Sequence, residues 1–300
     1  MSTSEDLGSI YSDKKQPIVG VIYYLVHRKG RLNLIKLKEK LEGKMDIEEL
    51  YEEEITKDSD EEIYVPEIFK DEEQKVLLKT TIDKIILTPT SLFGRATLDK
   101  PVTLQYRNHR ILVINTIEIH FMILRDNKIN RNFLVILGSR ANSRELFVSI
   151  NKFLEDLGII AVPSRLEPEK IDEVREELKG ELLDTTLWNF PSPKIKMKRI
   201  IGRGYQNEPS YLQDAQVGSV HQHMFEFKKG EGRPNVVNLS EDGLVRFYNS
   251  VSYKDYEFFL REHIFYRLRQ IKKPEVPIIA YAIASEIFEE EQEQEESGVY

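Results

Sequence analysis

Apolar and polar positions follow two rhythms along this chain. Between Val76 and Leu137 the apolar residues come in short runs with period-two alternation: VLLKTTIDKIILT, LFGRATL, PVTLQY, RILVINTIEIHFMIL and NFLVIL. The turn-like segments TPTS, DK, RNH and RDNKIN separate them, which predicts antiparallel strands. The rhythm then becomes helical. In SRANSRELFVSINKFLEDLG the side chains of Leu146, Ile150, Phe153, Leu154 and Leu157 form one stripe, with Ser143 or Asn142 placed to cap it and Gly158 to end it.

The same alternation of rhythms returns downstream. Residues 168–184 carry Ile171, Val174, Leu178 and Leu182 on one helical face. Strand-like IKMKRII, SVHQHMFEF, NVVNL and LVRFYN follow. A second aromatic-rich helix is predicted from Tyr253, with Ser252 and Asp255 at capping-box spacing and Leu260, Ile264, Leu268 and Ile271 inward. The matched endings FLVILGSRANSRELFVSINKFL and LVRFYNSVSYKDYEFFLREHIF suggest a duplicated unit of about 85–90 residues.

At the N-terminus, PIVGVIYYLVHR begins with Pro17 and runs almost unbroken, which reads as a helix. Asn33 can cap a second helix bearing Leu34, Leu37 and Leu41 and closed by Gly43, and Asp46 a third from Ile47 to Glu54. Three short helices with tight turns outline a helix-turn-helix-like module. Glu48, Glu49, Glu52, Glu53 and Glu54 on the third helix would repel DNA phosphates, so this module is expected to contact protein partners.

The expected class is α+β: a helical module at 1–56, an acidic linker at 57–75, and a first β-sheet/helix module at 76–165. An acidic connecting helix at 166–187 leads to a second β-sheet/helix module at 188–273, and a short helix with an acidic tail fills 274–300. A curved antiparallel sheet closed by a C-terminal helix resembles, in element order, a pleckstrin-homology or GRAM-type module, or half of a TATA-binding-protein saddle. That resemblance carries no functional residues to this chain.

Composition narrows the classes. There is no cysteine, so disulfides, thiolate nucleophiles and cysteine-held metals are excluded. No apolar run reaches the ~18–20 residues a membrane span needs, and the first residues lack a secretory pattern. A cytoplasmic protein of thermophile-like, charge-rich composition is expected.

The net charge of −8 conceals segmentation. Residues 12–45 hold nine basic against three acidic residues, 79–165 thirteen against seven, and 188–273 fifteen against nine. Between and after them, 46–78 hold three against fourteen, 166–187 three against eight, and 274–300 none against eight. Basic folded segments alternating with acidic connectors suggest polyanion binding on the former.

Candidate chemistry is sparse. No nucleophile–base motif or metallohydrolase spacing is present, and no cofactor is called for. His221 and His223 would share one face of a strand but lack a third ligand, so a solvated face is expected there and no metal. Gly202-Arg203-Gly204 is only a fragment of a phosphate-binding loop. The basic-aromatic stretch Lys194, Lys196, Lys198, Arg199, Arg203 and Tyr205 is the candidate site. On a strand its lysines could follow a phosphate backbone with Ile195 and Met197 in the core, while Tyr205 stacks on a base. The expectation is a non-enzymatic adaptor acting on DNA, RNA or nucleoprotein. A protein-binding scaffold and a metal-dependent hydrolase around the two histidines are the alternatives.

Overall fold

The computed structural model describes residues 6–27, 32–50, 63–71, 75–88, 90–106, 109–191, 194–228 and 233–270. Helix α1 (Leu7–Ser12) leads into strand β1 (Gln16–His27). Helix α2 (Leu34–Leu41) precedes β2 (Met45–Leu50), β3 (Ile63–Tyr64), β4 (Val76–Leu87), β5 (Ser91–Tyr106), β6 (His109–Asp126) and β7 (Arg131–Leu137). Helix α3 (Arg140–Glu155), β8 (Ile159–Leu166) and helix α4 (Pro168–Glu177) follow, then β9 (Glu181–Trp188) and β10 (Met197–Ile201). The described chain ends with α5 (Pro209–Val217), β11 (Ser219–Phe227), β12 (Asn235–Ser240), β13 (Leu244–Val251), α6 (Tyr253–Phe259) and β14 (Leu268–Gln270).

These strands form one 14-stranded sheet, with main order β10-β9-β11-β12-β13-β1-β7-β6-β5-β4-β2. Every pairing between its long strands is antiparallel. Strand β1 is the hub. Its first half pairs with β13, its second half with β8, and its other edge with β7.

Side chains alternate across β1 and feed two cores. Ile18, Ile22 and Tyr24 enter a core shared with α1, α4, α5 and α6, through residues such as Leu7, Ile171, Tyr211 and Tyr256. Tyr23 and Leu25 enter the opposite core, shared with Leu34, Leu37 and Leu41 of α2 and Leu146, Ile150 and Leu154 of α3.

The modular expectation is overturned. No separate N-terminal helical module and no pair of independent sheet modules exists, because β1 joins both groups of strands into one sheet. PIVGVIYYLV is strand, not helix: it is rich in β-branched and aromatic residues and paired along both edges, and burial on both faces erases the alternation that would have marked it. The predicted third helix is strand at Met45–Leu50, and residues 51–54 lie outside those described.

The second helix does form, with the Asn33 side chain accepting from the amides of Ile35 (3.0 Å) and Lys36 (3.1 Å). The matched strand–helix endings are the two neighbours of β1 in this single sheet, and their helices α3 and α6 lie on opposite faces. A saddle half or a pleckstrin-type module has its helix and sheet to itself, so neither describes this chain.

Smaller differences have local causes. Helix α3 starts earlier than expected, its cap being Ser139, whose Oγ accepts from the Asn142 amide at 3.3 Å. Helix α4 stops at Glu177, because Lys179 takes a left-handed conformation (φ 52°) and Leu182 joins β9. Helix α6 is capped by Ser252 as expected, then passes through a π turn at Leu260–Ile264 and a 3₁₀ turn at Phe265–Arg267. The expected C-terminal helix and acidic tail lie outside the described residues.

Gly20, where β1 pairs with β13 on one edge and β7 on the other, is held to glycine by a close approach. A β-carbon there would stand 2.4 Å from the Tyr256 hydroxyl, which is buried and donates to the Val245 carbonyl at 2.9 Å. Gly20→Ala should therefore destabilise the protein by about 2–4 kcal/mol through overpacking. Urea denaturation checks it, with an unchanged midpoint as the contrary result.

On the same face, His120 stacks on Phe93 (5.3 Å between ring centres) and lies beside Tyr253. Burial, reinforced by the charges of Arg95 and Lys14, pulls its pKa down to about 4. The fold therefore favours neutral imidazole. This contribution is fully present above the ordinary histidine pKa of about 6.5 and is lost as pH falls towards 4. The stability gap between the protein and its His120→Gln variant should shrink by about 3 kcal/mol between pH 7 and pH 4. Denaturation series at the two pH values measure it, and a gap that does not change with pH would refute the assignment.

Candidate functional site

Beyond β1, the sheet has only one face covered by helices. Strands β9, β11, β12 and β13 send Leu182, Leu187, Val220, Phe225, Val237, Leu239, Val245 and Phe247 into the first core. Among the described residues, none of the second core's side chains comes from β9–β13. Their opposite face carries Met197, Arg199 and Ile201 from β10, and Asp184 and Thr186 from β9. Gln222, Met224 and Glu226 from β11, Val236, Asn238 and Ser240 from β12, and Arg246 and Tyr248 from β13 lie on the same side in cross-strand register, with Asp184, Thr186, Asn238 and Ser240 buried among their neighbours.

The open face has a definite chemistry. Buried Asp184 accepts from Arg199 at Nε (3.1 Å) and Nη2 (2.6 Å), so the guanidinium is aimed while its side chain stays more than half exposed. Hydrogen bonding to Asp184 raises the Arg199 pKa further, with a smaller electrostatic contribution from the Tyr248 phenol. Tyr248 is 43 % exposed, and the Arg246 guanidinium carbon sits 5.1 Å from its ring centre, within cation–π range.

Two polar atoms on this side lack hydrogen-bond partners among the described residues: Asn238 Oδ1 and Trp188 Nε1. Trp188 stacks flat on His221, 3.7 Å between ring centres and 5° between planes. Met197 (50 % exposed) and Ile201 (70 %) lie along β10, the terminal strand of the sheet order.

The residues singled out from sequence scatter. Lys194 lies in a turn and Lys196 in a bend before the strand, which begins only at Met197, so Ile195 and Met197 are exposed rather than in the core. Lys198 turns to the helix-covered side and binds Asp214. Arg199 is aimed on the open face by Asp184. Arg203 donates to Glu181 (3.3 Å) and Glu226 (2.9 Å). Tyr205 is buried, its hydroxyl 2.8 Å from Thr185 Oγ1 and 3.0 Å from the Ile200 carbonyl, and burial pushes its pKa up to about 12. The Gly202 and Gly204 amides donate to the carbonyls of Leu183 and Leu182, both at 3.0 Å, so the glycine fragment is a turn tied to β9.

The two histidines are not a pair. A bulge between Val220 and Gln222 inserts His221 as an extra residue and breaks the two-residue alternation. His221 therefore stacks on Trp188, while His223 faces the first core, fully buried. There its ring nitrogens meet Thr185 Oγ1 (2.8 Å) and Asp172 Oδ1 (3.2 Å). Asp172, His223, Thr185 and Tyr205 make a carboxylate–imidazole–hydroxyl chain, but His223 and Thr185 have no exposed surface for a substrate to reach. The chain ties α4 to β11, β9 and the 3₁₀ turn at Tyr205–Asn207. His223→Ala should cost about 2–4 kcal/mol, by cavity and by leaving Asp172 without its imidazole, and His221→Ala clearly less. Thermal unfolding of the two single variants ranks them, and the reverse order would contradict the bulge geometry.

Sequence reasoning passed over Tyr248, Arg246, Asn238 and Trp188. In LVRFYN, period-two reading sends Val245 and Phe247 inward and leaves Arg246 and Tyr248 together outside, so that part was available. Asn238 and Trp188 gain significance only through their neighbours on β11 and β13. No family model matches this chain, and no curated protein is significantly similar to it.

Proposed function

We propose that this is a binding protein for single-stranded nucleic acid, and that the open face of β9–β13 is its recognition surface. The observation that carries the reading is the Arg199–Tyr248–Arg246 array. It combines an exposed aromatic ring with one arginine held in place by a buried carboxylate and another resting on the ring. A sheet face that offers a stacking surface flanked by cations is how backbone-following proteins hold bases and phosphates together. The cations are few, because Lys198 and Arg203 are engaged by acidic neighbours. Two or three phosphate contacts give a shallow dependence on salt, a slope of about −0.7 per contact for a single strand.

A protein-binding scaffold is the second reading. It is favoured by exposed Met197 and Ile201 on a terminal strand, where a partner could dock. For the hydrolase alternative the support has gone: the two imidazoles diverge, and among the described residues no group of three metal-ligating side chains exists.

Affinity of the full chain for a short mixed-sequence single strand, at ~50 and ~200 mM salt, tests the reading. Tyr248→Ala should weaken binding about tenfold at both concentrations, since one stacked base is lost. Arg246→Ala should weaken it and flatten the salt slope by about 0.7. Both side chains are exposed, so neither change threatens the fold. Binding too weak to measure at ~50 mM salt would overturn this reading in favour of the scaffold.

A further inference from the structure

Resting on the nucleic-acid reading, we infer that Asn238 is the base-reading residue of the open face. It would accept a hydrogen bond from the exocyclic amino group of a base stacked on Tyr248. Asn238 lies at the centre of the strip, directly opposite Met224 on β11 and Arg246 on β13. It is only 6 % exposed, yet its Oδ1 has no partner among the described residues. A buried amide oxygen without a donor is costly, and native structures keep few of them. An apolar residue would serve packing better, as Val237 and Leu239 do on the other face of the same strand.

The neighbours explain how a base would reach it. Diagonal cross-strand positions on one face are about 7–8 Å apart, within reach of an aromatic ligand. This is the relation between Asn238 and Tyr248. The Arg246 guanidinium now occupies the Tyr248 ring. A base that stacks there displaces it, and the attached phosphate gives the guanidinium a new partner. Moving that long side chain uncovers the strip directly across from it, where Asn238 sits. Stacking on Tyr248 and access to Asn238 are thus one event.

The side-chain amide selects the base. Its Oδ1 can accept from an exocyclic amino group while its Nδ2 donates to a ring nitrogen, the bidentate pairing an asparagine makes with adenine N6 and N7. Adenine is therefore the base to probe.

The test compares short single strands of deoxyadenosine with strands of the N6,N6-dimethyl derivative, which stacks but cannot donate. The full chain should bind the first about tenfold more tightly, the value of satisfying one buried acceptor. In Asn238→Leu, which fills the same space, the difference should vanish while affinity for the dimethyl strand and the unfolding midpoint hold. Equal affinity for the two strands, or a preference that survives Asn238→Leu, would overturn the inference and leave the broader reading standing. No binding of either strand would sink the nucleic-acid reading itself.

Discussion

The fold depends on one strand having three partners. Gln16–His27 meets β13 and β8 in succession along one edge and β7 along the other, so two groups of strands that are distant in sequence are joined through it. It is buried on both faces and closely packed at Gly20, where the Tyr256 hydroxyl occupies the space a side chain would take. Hydrogen bonds reinforce the crossing. Ser164 Oγ donates to the Ile22 carbonyl at 2.6 Å, and the Tyr24 hydroxyl donates to the Leu268 carbonyl. Because β1 stands at the middle of the sheet, the helices after β7 and β13 pack on opposite faces. The strands beyond β13 contribute to one helix-covered core only, and their other side, partly closed by its own side chains, is where the proposed recognition chemistry sits.

The same constraint explains what could and could not be read from the chain. Strands with one face towards a helix and one less covered, such as β4 with its Leu78, Thr80, Ile82 alternation, announce themselves by period two. β1 does not, because a strand buried on both faces is a continuous apolar run, and the sequence PIVGVIYYLV is compatible with either helix or strand. Read as a helix, β1 no longer joins the two groups of strands, and the chain divides into separate modules. The helices α2, α3 and α6 were legible because each keeps a polar face and a side-chain cap at its start.

The proposed binding face is only half legible in the sequence for a related reason. Row arguments along a strand assume an unbroken register. The bulge at His221 turns two histidines to opposite sides, and the late start of β10 releases Lys194 and Lys196 from any row. Arg246 lies in unbroken register opposite Asn238, and Tyr248 follows on the same face, its ring against the Arg246 guanidinium, just where β13 shifts register against β1. What makes them a site is Arg199, four strands away along the sheet and aimed by a carboxylate on β9. Such a constellation exists only after folding.

The charge segmentation has a structural explanation of its own. The acidic helix α4 and its flanks bind basic residues of the segment that follows: Glu177 accepts from Arg267 and from His263, and Glu167 pairs with Arg269. In the earlier acidic stretch, Asp46 holds Lys152, and Glu49 holds Lys75. Blocks of opposite charge in sequence become neighbours across element boundaries, and exposed pairs of this kind contribute little to stability individually. What they do is cancel long-range fields. Of the fifteen basic residues between 188 and 273, Lys198, Arg203, Arg261, Arg267 and Arg269 are each engaged by a carboxylate, which leaves the placed guanidiniums of Arg199 and Arg246 prominent. On the proposed reading, recognition comes from where Arg199, Arg246 and Tyr248 stand rather than from how much charge surrounds them, so the proposal rests on geometry and not on net charge.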